Sequence, residues 1–232
     1  MVASQVHPSD CALGAFLVVL TCVGCGYIPE PIPLAYYAQS PVTRVPGAEK
    51  VSVHVIADDF RGDKAMVCAH FNALGWLGAA HPSTPEPAAF VQRAVKAELA
   101  HRGFDLGSKG VPVVLALSSF YCERKDRVNG LLGFTDADVD FDLSVYSRGR
   151  QRAGQEIYHR HVTGVFRDRN IVGPFSIEGA QAALRAALED AIKQLFSDQG
   201  VVNTLLSPAA QAPPPPPTGR TPPPMIYDPK SI

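Results

Sequence analysis

Residues 136–145 read DADVDFDLSV. Ala137, Val139, Phe141, Leu143 and Val145 alternate with Asp136, Asp138, Asp140, Asp142 and Ser144, the two-residue period of an extended strand. One face of this strand is apolar and the other carries four carboxylates. Such a strand belongs in a sheet packed on one side and wet on the other, the usual condition of antiparallel sheets. A turn over 147–154 leads into residues 155–166, which are expected to return as the antiparallel partner of a hairpin.

Upstream, 111–121 (VPVVLALSSFY) is apolar on both faces and reads as a central strand. Residues 50–57 (KVSVHVIA) alternate Val51, Val53 and Val55 with Ser52 and His54, a half-buried strand. Residues 58–82 show no clean period and read as irregular. Thr84-Pro85-Glu86 predicts a helix start, with Thr at the cap and Pro in the first position. Phe90, Val91, Ala94, Val95 and Leu99 follow at helical spacing until Gly103 ends the run. Ser176 is expected to cap a second helix to about residue 198, with Leu184, Leu188, Ile192 and Leu195 inward and Arg185 and Glu189 paired outward. A further turn, 201–206, packs at its end. The expectation is an α+β fold in β-α-β-β-β-α order: a mostly antiparallel four-stranded sheet with two amphipathic helices on one face.

Cys25 closes a short apolar run, 12–23, and sits between Gly24 and Gly26-Tyr27. The run is too short to span a bilayer, which takes about 20 apolar residues, and fits the apolar part of a secretion signal. A small residue before a cysteine at its end resembles the processing site of a bacterial lipoprotein, although residues 1–11 contain no Lys or Arg. Residues 1–24 are then a signal peptide and Cys25 is the lipidation site. The absence of Asp after it resembles the pattern sorted to the outer membrane, periplasmic face. Residues 25–46, with five prolines after Cys25, read as an extended spacer, 47–207 as the folded domain, and 208–232 as a Pro-rich disordered tail.

The charge balance excludes other classes. Asp10 is the only charged side chain before Cys25, so the processed chain carries equal numbers of acids and bases. Nucleic-acid binding wants a basic excess, and so does polybasic membrane adhesion. With 46% hydrophobic and 19% charged residues the chain can still bury a core. Of the five cysteines, Cys68 and Cys122 remain after processing and lipidation. They form either a disulfide, which an oxidising compartment permits, or two separate buried thiols.

The segments VPGAEKVSVHVIADDFRGDK (45–64), ELAHRGFDLG (98–107) and VPVVLALSSFY (111–121), with the closing helix, resemble the YajG family of Gram-negative lipoproteins. The resemblance runs from about residue 42 to 206. Its most specific pieces are Asp59-Phe60-Arg61 and Arg102-Gly103-Phe104. It implies an envelope lipoprotein and no particular chemistry.

Candidate chemistry is sparse. The aspartates at 136, 138, 140 and 142 superficially match a calcium loop, but the sixth and twelfth positions hold Phe141 and Ser147 where Gly and Glu are needed. Carboxylates two residues apart on a strand are also nearly 7 Å apart, too far to wrap one ion. Pairing with His159, Arg160 or His161 across the hairpin is the expectation. His159 and His161 share a strand face, but zinc needs further ligands, so neither metal nor cofactor is expected. Asp59 and Arg61 either read a polar ligand or anchor their loop. Gly130 to Gly133 read as a turn, and no G-x-S-x-G, H-E-x-x-H or phosphate loop occurs. The tail either docks on a partner's aromatic groove or serves as a spacer. The leading expectation is a non-enzymatic binding or envelope-assembly module. The alternatives are an accessory lipoprotein of a lipid-transport or lipopolysaccharide-assembly machine, and a cell-wall ligand-binding protein or enzyme using Asp59 and Arg61. The expected partners are the membrane, through lipid, and an envelope protein or the cell wall.

Overall fold

The computed structural model describes residues 29–38, 43–127, 132–148 and 155–211. The expected signal peptide, Cys25, residues 39–42 and 128–131 (with part of the expected turn at Gly130 to Gly133), most of the expected turn at 147–154, and the tail beyond Gln211 lie outside these residues. Along the chain come β1 (Ile32–Pro33), β2 (Ser52–Asp59), β3 (Cys68–Phe71), β4 (Leu77–His81), β5 (Ser83–Thr84) and α1 (Pro87–His101). They are followed by β6 (Asp105–Leu106), β7 (Val111–Asp126), β8 (Leu132–Tyr146), β9 (Glu156–Val172), α2 (Ile177–Ser197), α3 (Gln199–Leu206) and α4 (Pro208–Gln211).

The twice-apolar strand β7 is the axis of the sheet. One of its edges pairs antiparallel with β8, which in turn pairs antiparallel with β9, giving the expected hairpin. The other edge is shared in series. β2 runs parallel to the first half of β7, and β3 runs parallel to its end, from Cys122 to Lys125. β4 hairpins onto β3 and β6 lines the outer edge of β2. The result is a seven-stranded mixed sheet, with a separate parallel pair of β1 and β5. This corrects the expectation of four mostly antiparallel strands. A strand–helix–strand segment of β2, α1 and β7 has a crossover long enough to bring its strands in parallel. The segment read as irregular supplies β3 and β4, whose few residues are too short to show a period.

The two long helices, α1 and α2, pack on one face of this sheet, over Val53, Val55, Leu115, Phe120, Val139 and Phe141, all buried, and the short α3 and α4 follow α2. Phe90 of α1 meets Phe120 edge-to-face at 5.9 Å between centroids. α2 presents Ala180, Ala183, Ala187 and Ala191 as well as its leucines, and lies very close to β9. Gly164 makes that approach possible, because a Cβ there would sit 2.0 Å from the Ala187 carbonyl oxygen.

α2 begins as expected, its Ser176 hydroxyl accepting from the Gly179 amide at 3.0 Å. α1 does not. Thr84 belongs to β5, where its carbonyl accepts from the Leu34 amide, and the Thr84–Pro85 bond is cis. The helix starts two residues later, with Pro87 as its first residue and Glu86 at the cap without a side-chain bond. The chain ends of the fold also differ from expectation. Ile32 and Leu34, placed in the spacer, are buried in the core, and Ala210, placed in the tail, is buried too. Among the described residues no helix is long and apolar enough to cross a membrane.

Candidate functional site

Asp59 and Arg61 lie where β2 ends and β3 has not begun. There β7 carries a bulge between Leu117 and Ser119, and its edge lacks a ladder partner. The Phe60 amide reaches the Leu117 carbonyl at 2.8 Å. Arg61, 6% exposed, then fills the gap. Its Nη1 donates to the carbonyls of Phe120 (3.4 Å) and Met66 (3.2 Å), and its Nη2 to the Lys64 carbonyl (3.2 Å). Nη2 and Nε both hold the Asp59 carboxylate, at 2.9 and 3.1 Å. A guanidinium has five N–H donors, and these contacts engage all of them. Burial by itself raises the Asp59 carboxyl, but hydrogen bonds and charge from Arg61 outweigh it and hold the group below the ordinary carboxylate range. The geometry is that of a loop clamp.

The acidic face of β8 is uncovered by any described helix. Asp142 contacts His161 at 3.0 Å and His159 at 3.6 Å, while Asp138 holds Arg167 at 2.7 Å. Asp136 faces Arg169 at 3.3 Å. Arg160 does not join them. It sits opposite Leu143 in register, on the helix side, and pairs with Asp198 and the Gln194 carbonyl. Arg167 and Arg169 take the place expected of it, because β9 continues beyond residue 166. Among the described residues no three His, Cys, Asp or Glu side chains are grouped to hold a metal ion.

Cys68 and Cys122 stand opposite each other on β3 and β7 and form a disulfide, 54 residues apart in sequence. Beside it, buried Arg124 donates to Asp126 (3.1 Å) and to the Gly173 carbonyl (2.7 Å). His70 bonds the other Asp126 oxygen at 2.8 Å, and Phe175 stacks on both His70 and His81. Nothing in the sequence pattern singled out this cluster.

A groove of about 480 Å³ lies between the C-terminal halves of α1 and α2, the start of α3 and residues 43–46. Glu98, 1% exposed, lies at its base. It accepts from the Tyr36 hydroxyl at 2.8 Å and from Arg102 Nη1 at 2.5 Å. Arg102 in turn lies 4.0 Å over the Phe196 ring. Burial, then the bond to Glu98, pushes the Tyr36 phenol far above its ordinary range, so it remains a neutral donor. Val45, Pro46, Ile192 and Val202 add apolar wall, and Arg44 and Lys193 add positive charge. The Arg102-Gly103-Phe104 motif thus builds both the groove and the helix exit, where Gly103 takes a φ of 98° and the Arg102 carbonyl accepts from Val45. Glu98 was readable in principle: it falls four residues after Ala94, a carboxylate on the apolar stripe.

No family model matches the chain, and no curated protein sequence is similar to it. Its fold is similar to that of a Xanthomonas campestris protein of the DUF330 family, at 12% identity and a TM-score of 0.49, over 74% of this chain and 96% of that one. It is also similar to a minor lipoprotein of Acinetobacter baumannii (15% identity, TM-score 0.37, covering 66% and 92%). A third similar structure is a homologue of neuraminyllactose-binding hemagglutinin from Helicobacter pylori (5% identity, TM-score 0.41, covering 75% and 97%). Likeness at this level concerns the course of the chain and assigns no side chain a role.

Proposed function

We propose that this chain is a non-enzymatic envelope lipoprotein, held through acylated Cys25 at the periplasmic face of the outer membrane, whose α+β domain binds a ligand in the Glu98–Arg102 groove. The observation that carries the reading is the groove itself. Its buried acid is already matched by Tyr36 and Arg102, so its ionisable groups are set for recognition rather than for proton transfer. Apolar walls beside Arg44 and Lys193 suit a ligand with an apolar part and an anionic group. That chemistry is compatible with an accessory role in lipid transport or lipopolysaccharide assembly.

Two measurements test the two halves. Labelled palmitate enters the wild-type chain and not Cys25→Ala; equal labelling of both defeats the tether. A fluorescent fatty acid titrated into purified protein binds the wild type and binds Lys193→Glu several-fold more weakly, with an unchanged circular dichroism spectrum. Equal binding by both proteins removes the groove from the reading.

A further inference from the structure

The hairpin of β3 and β4 ends in a turn that displays apolar side chains to solvent. Leu74 is 76% exposed, Trp76 70% and Leu77 56%. The turn is not a loose loop. The Asn72 side-chain oxygen accepts from the amides of both Leu74 and Trp76 at 3.0 Å. The Asn72 amide donates to the Trp76 carbonyl at 3.0 Å, the Gly75 amide donates to the Asn72 carbonyl at 2.8 Å, and Gly75 takes a φ of 79° that suits glycine. A rigid turn thus holds one Trp and two Leu out into water. That arrangement costs solvation and contributes nothing to the core.

The register of the first strand shows which way the first described residues run relative to this hairpin. β1 pairs parallel with β5, Ile32 opposite Ser83. The Ile32 amide bonds the Pro82 carbonyl, and the Glu30 carbonyl bonds His81 Nδ1. From Ile32 back to Glu30 the chain therefore runs alongside residues 83 to 81, in the direction that leads back along β4 toward the tip. Cys25 is seven residues before Ile32, and Trp76 is seven residues before Ser83. Seven residues reach at most about 24 Å. The acylated cysteine and the hairpin tip can therefore meet the same plane.

We propose that Leu74, Trp76 and Leu77 form a second membrane contact, which inserts into the interface of the bilayer that holds Cys25. The inference rests on the lipid-anchor reading. Trp belongs at the depth of the headgroups, where its ring is half wetted, and leucines beside it add apolar area below. Acyl chains alone leave the domain free to swivel, whereas a second, rigid contact sets which way the domain faces.

Trp76 is the only tryptophan in the chain, so its emission reports on the tip directly. The acylated full chain is reconstituted on vesicles of phosphatidylethanolamine and phosphatidylglycerol, and compared with the equally acylated Leu74→Glu/Leu77→Glu variant. Co-flotation with vesicles and the mass of the amino terminus report the anchor independently. In the wild type, Trp76 emission moves to shorter wavelength, is quenched by phospholipid brominated near the headgroup, and loses sensitivity to aqueous iodide. In the variant, circular dichroism and flotation are unchanged and iodide quenches fully. A wild-type chain that floats with the vesicles while Trp76 stays open to iodide overturns the membrane contact and leaves the anchor standing. Shielding from iodide without quenching by brominated lipid also overturns it, and assigns the tip to contact with a second copy. An unacylated amino terminus and no flotation defeat the anchor and the proposal together.

Discussion

Every donor of the Arg61 guanidinium is committed inside the protein, to one carboxylate and three carbonyls. Arg61→Ala removes a buried guanidinium from a part-buried carboxylate and three carbonyls, and is expected to cost about 2–4 kcal/mol in urea unfolding. Arg61→Lys recovers only part of this, because an ammonium has three donors and no planar fork. A loss under about 1 kcal/mol for the alanine variant would show that the loop is held by something else. Acid should act through the same clamp. Asp59, and likewise Asp126 beside His70 and Arg124, is raised by burial but lowered further by its partners, so its folded value lies below the ordinary one. A depressed folded value means that this stability is present above the ordinary carboxylate value near 4 and is lost as pH falls through the folded value. Unfolding midpoints are therefore expected to be level from about pH 7 to about 5 as far as these groups contribute, and to fall below about 4. The double variant Asp59→Asn/Asp126→Asn should lose less over that acid range than the wild type; an equal loss would refute the assignment.

Among the elements, α2 and β9 depend on each other most sharply at one position. Their backbones meet at Gly164, where any Cβ would overlap the Ala187 carbonyl. Gly164→Ala must push the helix off the sheet and open the core beneath Ala187 and Leu188. The expected loss is about 3 kcal/mol or more, read as a lowered thermal midpoint. Gly62→Ala, with nothing within 4 Å of the added Cβ, is the control and should stay within about 0.5 kcal/mol of wild type. Similar midpoints for the two variants would mean that the helix can slide without loss. The disulfide joins the other end of the sheet, where short β3 has few ladder bonds of its own to hold it on β7.

For the whole molecule, residues 32–36, expected from the sequence to be spacer, belong to the body of the folded domain. Ile32 is fully buried, Leu34 nearly so, and Tyr36 closes onto Glu98 below the groove. Ile32→Ala is expected to cost about 2–4 kcal/mol, as truncation of a core aliphatic does. Chemical denaturation of the full chain measures it, and a loss under about 1 kcal/mol would return the segment to the status of a spacer.

What the chain determined locally was its strand and helix patterning. The alternation at 136–145, the apolar run at 111–121, the capping Ser176 and the helical stripes are each visible within one element. They suffice for an α+β class with both helices on one face, because burying a stripe or a strand face is a property of neighbouring residues. Partner choice is different. That β2 and β3 share one edge of β7, that Arg167 rather than Arg160 meets the aspartates, that Cys122 faces Cys68, and that Glu98 closes a groove with Tyr36 all follow from register. Register is set by a bulge at residues 117–119, a crossover helix and the packing of α2 on Gly164, each of them a long-range contact. Such contacts are decided by which arrangement buries the most apolar surface with every backbone group satisfied, a sum over the whole molecule that leaves no signature in any one stretch of sequence.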